Sequence, residues 1–250
     1  MNLMDILLLA SFGFISGWIN TVAGGGSLLN ILTMLFIGIS GSTANGTNRL
    51  AVLFQSIAAI GAFLKSDRIH FRPCLLLAIF TSVGAFIGAH YGVKINDIWF
   101  DRFLALLIVI IFLIIQGKQR GFKKGKLQAQ LSRINPLLGY ILLIAAGFWG
   151  GLIQVGVGFL LIPILHFIFR YDLVVTNAYK TFIIFTYTIF ALTIFETNDM
   201  INWQVGMTIA LGSLIGGWYG AKATMKLDEI WIYRLIKAGL IIFFIKLLFF

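Results

Sequence analysis

The sequence is short of almost everything a water-soluble domain uses to face solvent. Only 11% of its 250 residues are charged, where a soluble domain carries roughly a quarter. So few charges cannot cover an aqueous surface, which excludes an ordinary soluble fold. Acids are scarcer than bases, nine against 19, for a net charge of +10. There is one cysteine, Cys74, which excludes an intrachain disulfide and any cysteine-based metal cluster. It reads as an inert packing residue. The three histidines, His70, His90 and His166, are too scattered for a metal site. No nucleophile–base constellation, carboxylate pair or phosphate loop stands out, so neither an enzyme nor a bound cofactor or metal is expected. Every acid falls at the end of an apolar run or in a loop. No carboxylate is therefore expected at a membrane midplane as a proton or sodium carrier. Coupling would rest on an edge carboxylate, on His90 or on the substrate's own proton, and uniport or channel-like flow stays open.

What the sequence has is apolar length. Hydrophobic residues make up 60% of the chain, and the mean hydropathy is +0.98. A membrane-spanning helix needs about 20 apolar residues. Runs of that order lie at 3–23, 46–64, 74–93, 99–117, 136–156, 178–196, 203–221 and 230–250. Two shorter runs, 27–39 and 158–169, each follow a glycine cluster. The N-terminus lacks a basic region, so the first run reads as a retained span rather than a signal peptide. The bases sit in short loops between apolar runs, a pattern of membrane topology rather than of nucleic-acid binding. The expected partners are the lipid bilayer and a small anionic substrate, with the oligomeric state left open.

The chain repeats. A shift of 132 lays Asn45 on Asn177, Ile69 on Ile201, Lys94 on Lys226, Trp99 on Trp231 and Arg102 on Arg234. A local shift of 128 lays Gly84, Gly88, Tyr91 and Gly92 on Gly212, Gly216, Tyr219 and Gly220. These glycines, spaced by four, read as helix-packing positions. The segment 118–133 holds six bases and no acid, so it is expected on the cytoplasmic side. Stepping over the hairpin 74–117 puts Lys65, Arg68 and Arg72 on that side too. The loop matching 65–72 is 196–202, which holds Glu196, Asp199 and no base. It reads as external, whereas the loop with Lys222, Lys226 and Arg234 reads as cytoplasmic. Equivalent loops on opposite faces mean inverted repeats, and inversion requires an odd number of crossings per half. The short runs are therefore expected to cross as well. The expected fold is an all-α integral membrane protein with two inverted repeats, each of four long transmembrane helices plus one short glycine-broken helix. Repeat 1 covers 1–117, a cytoplasmic basic loop 118–135, and repeat 2 136–250, in a single membrane transport domain.

Three stretches carry a family resemblance. They are Gly13-Phe14-Ile15-Ser16-Gly17, Val22-Ala23-Gly24-Gly25-Gly26-Ser27-Leu28 and Ala44-Asn45-Gly46-Thr47-Asn48-Arg49. The second half repeats them as Gly147-Phe148-Trp149-Gly150-Gly151, Gly156-Val157-Gly158 through Pro163, and Thr176-Asn177-Ala178-Tyr179-Lys180. Over nearly its whole length the chain resembles the TauE/SafE family of sulfite, thiosulfate and organosulfonate permeases. The resemblance implies a multi-pass protein of a bacterial or archaeal plasma membrane that moves a small sulfur-containing anion. The family commonly has a proline shortly after the first glycine cluster. Here Leu29-Asn30-Ile31-Leu32 stands instead, so that break is softer or Asn30 has another role.

An anion in a low-dielectric site is held by helix N-termini, by backbone amides near glycine, or by a buried cation. Gly24, Gly25, Gly26 and Ser27 open one short helix, and Gly156 and Gly158 open the other. Inverted, the two would aim their N-termini at one midplane point; otherwise their glycines only permit close packing. Arg49 and Lys180 lie near the starts of matching spans. Each either contacts substrate through charged donors or snorkels to the interface. Asn45, Thr47, Asn48 and Asn177 are uncharged donors for anion oxygens, or else N-caps. Asn20 and Gln154, just before the glycine clusters, need a partner in ligand or helix. His90 reads as a structural histidine rather than a proton relay. The functional expectation is an anion permease working by alternating access; the alternatives are an anion channel or a membrane scaffold without transport.

Overall fold

The computed structural model describes residues 3–100, 102 and 135–227. Among them there is helix and no strand. The first half contributes α1 (Leu3–Val22), the short α2 (Ser27–Phe36), α3 (Gly41–Leu64) and α4 (Phe71–Gly92). The second contributes α5 (Pro136–Leu152), the short α6 (Val157–Pro163) with a π-helical continuation Ile164–Ile168, α7 (Leu173–Glu196) and α8 (Trp203–Lys226). The expected spans 99–117 and 230–250, nearly all of the loop 118–135, and the repeat partners Trp231 and Arg234 lie outside the described residues.

Four of these helices, α1, α3, α4 and α7, are long and apolar enough to cross a membrane. Six of the eight expected long spans fall among the described residues, and four of those six meet that length and apolarity. α5 stops at 17 residues. α8 has 24 residues, but its glycines, Ser213 and Lys222 and Lys226 dilute its apolar character.

Local chemistry sets the boundaries. Asn135 accepts from the Leu137 amide ahead of Pro136, Asp172 accepts from Val174 and Val175, and Asn202 from Val205. Each satisfies N–H groups that a helix start leaves without intrahelical partners. α1 ends where Gly24 takes φ +92°, and α6 opens from Gly156 at φ +73°. Only glycine adopts that region readily. Pro163 lacks the N–H of a regular turn, and the chain continues past it as a π turn. α2 has no proline and stays a regular α-helix.

Small residues then let the long helices approach backbone to backbone. Gly13 and Gly17 of α1 face Ile209 and Ser213 of α8, and Gly212 and Gly216 face Ala10 and Phe14 in return. The Ser213 hydroxyl donates to the Gly13 carbonyl at 3.0 Å. Gly84 and Gly88 of α4 likewise face Ile144 and Phe148 of α5. Residue numbers rise together along both pairs, so α1 runs parallel to α8 and α4 parallel to α5. The end of α3 meets the end of α8, where Lys65 and Lys222 share the Trp218 ring. The start of α3 meets the turn after α7, where the Asn202 amide donates to the Thr47 hydroxyl.

The short helices fold back along the helices that precede them. α2 folds back along α1: the Ser16 hydroxyl donates to the Gly26 carbonyl, and Leu9 shares an apolar cluster with Leu28, Ile31 and Met34. α6 folds back along α5, with Val157 beside Gly150, and Ile168 and Phe169 beside Gly139. A ten-residue helix covers only about 15 Å, half of a hydrocarbon core about 30 Å thick. Each short helix therefore returns towards the end from which its long partner started.

Candidate functional site

The two glycine breaks meet. A methyl group on Gly24 would stand 2.7 Å from the Cα of Gly158, and one on Gly158 would run into Gly24 in turn. Gly25 lies against the Phe159 ring. The first turns of α2 and α6 thus start from one point of backbone contact. Gly26 and Ser27 are buried beside it, as are Gly156 and Gly158. A helix start directs N–H groups and the positive end of its dipole at that point.

Arg49 sits on α3 with none of its surface exposed. Its guanidinium donates from Nη1 to the Gly150 carbonyl at 3.3 Å and to Gln154 Oε1 at 2.9 Å, and from Nη2 to the Gly151 carbonyl. The Phe195 ring lies 4.1 Å from its Cζ. Gly150 and Gly151 close α5, where carbonyls lack intrahelical donors and carry partial negative charge. Asn45 completes this end. Its Nδ2 donates to the Leu152 carbonyl at 2.9 Å, and its Oδ1 accepts from the Gln154 amide at 3.2 Å. Gln154 in turn donates to Tyr187 Oη and Thr188 Oγ1.

Lys180 does the same for the other long partner. It is 1% exposed, and Nζ donates to the Thr21 carbonyl at 2.8 Å, the Asn20 carbonyl at 3.2 Å and Asn177 Oδ1 at 2.6 Å. Asn20 and Thr21 close α1. Asn20 Nδ2 donates to Gln55 Oε1 at 3.0 Å. Each buried cation therefore holds the end of the first helix of the opposite half. Neither snorkels to an interface. Asn45 and Asn177 are not N-caps, because Ser40 and Asp172 occupy those positions.

The expected site residues thus fall into groups rather than one ring. Arg49, Asn45 and Gln154 gather at the end of α5. Lys180, Asn177 and Asn20 gather at the end of α1. The glycines and Ser27 gather between. Thr47 is engaged by the turn after α7. Asn48 pairs with Asn30, whose Nδ2 donates to Asn48 Oδ1 at 3.0 Å. Both are buried. The arrangement leaves Asn48 Nδ2, Arg49 Nε and Asn30 Oδ1 buried without hydrogen-bond partners.

Sequence reasoning singled out Asn30 without giving it a partner, and missed Tyr187, Thr188 and Phe195 as members of these groups. Two signals were available. Asn30 is a polar residue inside a short apolar helix. Gln55 and Tyr187, the partners of Asn20 and Gln154, are themselves related by the shift of 132. His90 is exposed, its Nδ1 2.9 Å from the Phe86 carbonyl on its own helix.

The profile of the family described as "Sulfite exporter TauE/SafE" matches residues 9–247. The chain belongs to the TauE/SafE family. It is a multi-pass protein of the cell membrane and, like its family, a membrane transporter. A Bacillus subtilis (strain 168) relative named "Probable membrane transporter protein YunE" is 23% identical, with 96% of each chain covered. The Sinorhizobium sp "Probable membrane transporter protein ORF9" is 26% identical over 98% of this chain and 91% of its own. A Haemophilus influenzae "Probable membrane transporter protein" is 26% identical over 89% and 86%. No solved structure matches the chain. These TauE/SafE relatives carry names that give a transporter and no substrate.

Proposed function

We propose that this TauE/SafE protein is a permease for a small anion, a sulfur oxyanion such as sulfite, thiosulfate or an organosulfonate, working by alternating access between two inverted repeats. One observation carries the reading. Two helix starts meet at Gly24 and Gly158 between two fully buried cations, and no Asp or Glu among the described residues is buried. Carbonyl dipoles, the Gln154 and Asn177 amides and the Phe195 ring are the partners of those cations. The interior is therefore positive and suits an anion. The anion would lie at the first turn of α2, within reach of the donors that have no partner, Asn48 Nδ2 and Arg49 Nε. A buried donor without a partner costs about 1–3 kcal/mol, which an anion oxygen would relieve.

Inversion is supported by helix direction. α1 runs with α8 and α4 runs with α5, while α3 ends beside the end of α8 and starts beside the turn that follows α7. Cysteines placed singly at Ser66 and Asn198, with Cys74→Ser as background, test this in intact cells. Inversion requires a membrane-impermeant maleimide to label one from outside and the other only after permeabilisation. Labelling of both from the same side contradicts it. For the substrate, purified protein is heated with sulfite, thiosulfate, sulfoacetate, taurine, phosphate and chloride. The reading expects a sulfur oxyanion to raise the unfolding temperature in a saturable way. A chloride effect equal to that of every sulfur oxyanion sinks it.

A further inference from the structure

A second concentration of positive charge lies away from the glycine meeting point. At the shared end of α3 and α8 a cavity of about 430 Å³ is lined by Lys65, Arg68, Lys222 and Lys226, with Trp218 and Met225 among its walls. Lys65 and Lys222 place their ammonium groups 5.0 Å from the Trp218 ring, so the ring holds two of the four cations in place. Asp67 lies in the same turn but does not line the cavity. The four bases come from two segments 157 residues apart (Lys65 to Lys222), and the fold brings them around one opening.

The setting decides what such a cavity takes. α3 and α8 are also exposed on apolar faces that lead away from it, through Leu64 and Ile57 on α3 and Ile215 and Leu211 on α8. In a membrane those faces meet acyl chains. A ligand with an anionic head and apolar tails would put its phosphate among the bases, its shoulder against Trp218 and Met225, and its chains along the exposed faces. A free inorganic anion would use the bases alone. We propose that this cavity is a binding site for the headgroup of an anionic phospholipid, separate from the substrate path. Both contributing loops are the basic ones, the side on which anionic headgroups attract juxtamembrane Lys and Arg.

The test uses the full chain in nanodiscs of equal parts phosphatidylglycerol and phosphatidylcholine, with native mass spectrometry of the released protein counting the retained lipid. The wild type is expected to keep phosphatidylglycerol in preference to phosphatidylcholine. The variant K65Q/R68Q/K222Q/K226Q is expected to lose that preference about tenfold or more. Trp218→Leu, which keeps all four charges, should weaken retention by a smaller factor. Inorganic phosphate in millimolar excess should not displace the lipid. Equal retention of both lipids by the wild type, a preference unchanged in the quadruple variant, or displacement by inorganic phosphate each overturns the proposal. Thermal unfolding of each variant in phosphatidylcholine alone reports whether it is folded. Should the quadruple variant prove unfolded, K65Q/K222Q takes its place and is read against the same criteria.

Discussion

Arg49 and Lys180 occupy corresponding places in the two halves and do the same job differently. Lys180 has three N–H donors, and the structure gives all three a partner: two carbonyls that end α1 and Asn177. Arg49 places its two terminal nitrogens on the carbonyls that end α5 and on Gln154, and lies over Phe195. Its Nε has no partner, and neither does Nδ2 of the neighbouring Asn48. The second half is saturated, while the first holds its helix end and still has donors to offer. The difference follows from chemistry. A guanidinium has five donors in a fixed fork, an ammonium three on a flexible stem. Two cations that would look interchangeable in a hydropathy profile therefore divide into one whose donors are all engaged and one that closes a structure and keeps Nε without a partner.

The largest effects should come from removing either cation. Arg49→Leu or Lys180→Met leaves two helix-end carbonyls and a side-chain oxygen buried without donors. At about 1–3 kcal/mol for each unmet group, each variant should lose several kcal/mol of stability, read as a lower unfolding temperature in detergent, and all saturable transport. Two variants as stable as the wild type would break the account of both clamps.

Exchanging the cations should separate them. Arg49→Lys keeps donors for the carbonyls but gives up Nε, so it should fold and lose most transport. Lys180→Arg adds volume and donors where every partner is already taken, and overpacking costs about 1–3 kcal/mol. It should lose stability first, with transport falling in proportion to folded protein. Equal behaviour of the two exchanges would erase the asymmetry.

The point where the halves touch comes next. Gly158→Ala puts a methyl group into Gly24, so the backbones must part. Gly24→Ala adds residence at φ +92°, which costs a non-glycine residue about 1–2 kcal/mol. Both should slow transport at saturating substrate while leaving the helices formed, as circular dichroism would show. Gly24→Ala should be the more destabilising.

The smallest effect belongs to Asp97. The Ser42 amide and then its hydroxyl, at 2.9 and 2.8 Å, hold this carboxyl below the usual range. A carboxyl lowered in the folded state stabilises the protein above its unfolded value of about 3.9. That contribution fades as pH falls through the lower folded value. Unfolding temperature against pH should therefore bend down on the acid side in the wild type and bend less in Asp97→Asn. The group is exposed, so screening keeps the change small.

Much of the fold was legible. Helix ends at Val22, Leu64, Gly92 and Glu196 fall within a residue of the ends of their apolar runs, because hydrophobic length is what a bilayer selects. The glycine landmarks and the packing rows were legible for the same reason that they function: only glycine fits. The starts of α3 and α7 were not. Both begin five residues before the apolar runs, at Gly41 and Leu173, because the polar stretches through Asn45 and Asn177 are helical and buried against the opposite half. Hydropathy counts a polar residue as an exit from the membrane and cannot see a partner that tertiary structure supplies. Hydropathy likewise does not report that the two glycine breaks meet at Gly24 and Gly158. It also hid the placement of Arg49 and Lys180 on carbonyls rather than at the interface. The sequence marked the chemistry-bearing residues but not how they divide among three places.

The central claim, that donors left over in the first half receive a small sulfur oxyanion, is tested most directly by flux of radiolabelled sulfite into proteoliposomes. The comparison is between the wild type and Asn30→Leu/Asn48→Leu, in which both members of the buried amide pair become apolar. Replacing both partners together is close to neutral for stability, so the double variant should fold. The account predicts saturable sulfite entry with the wild type, competed by thiosulfate, and loss of that entry in a double variant that unfolds at nearly the wild-type temperature. Undiminished entry through the folded double variant would contradict it.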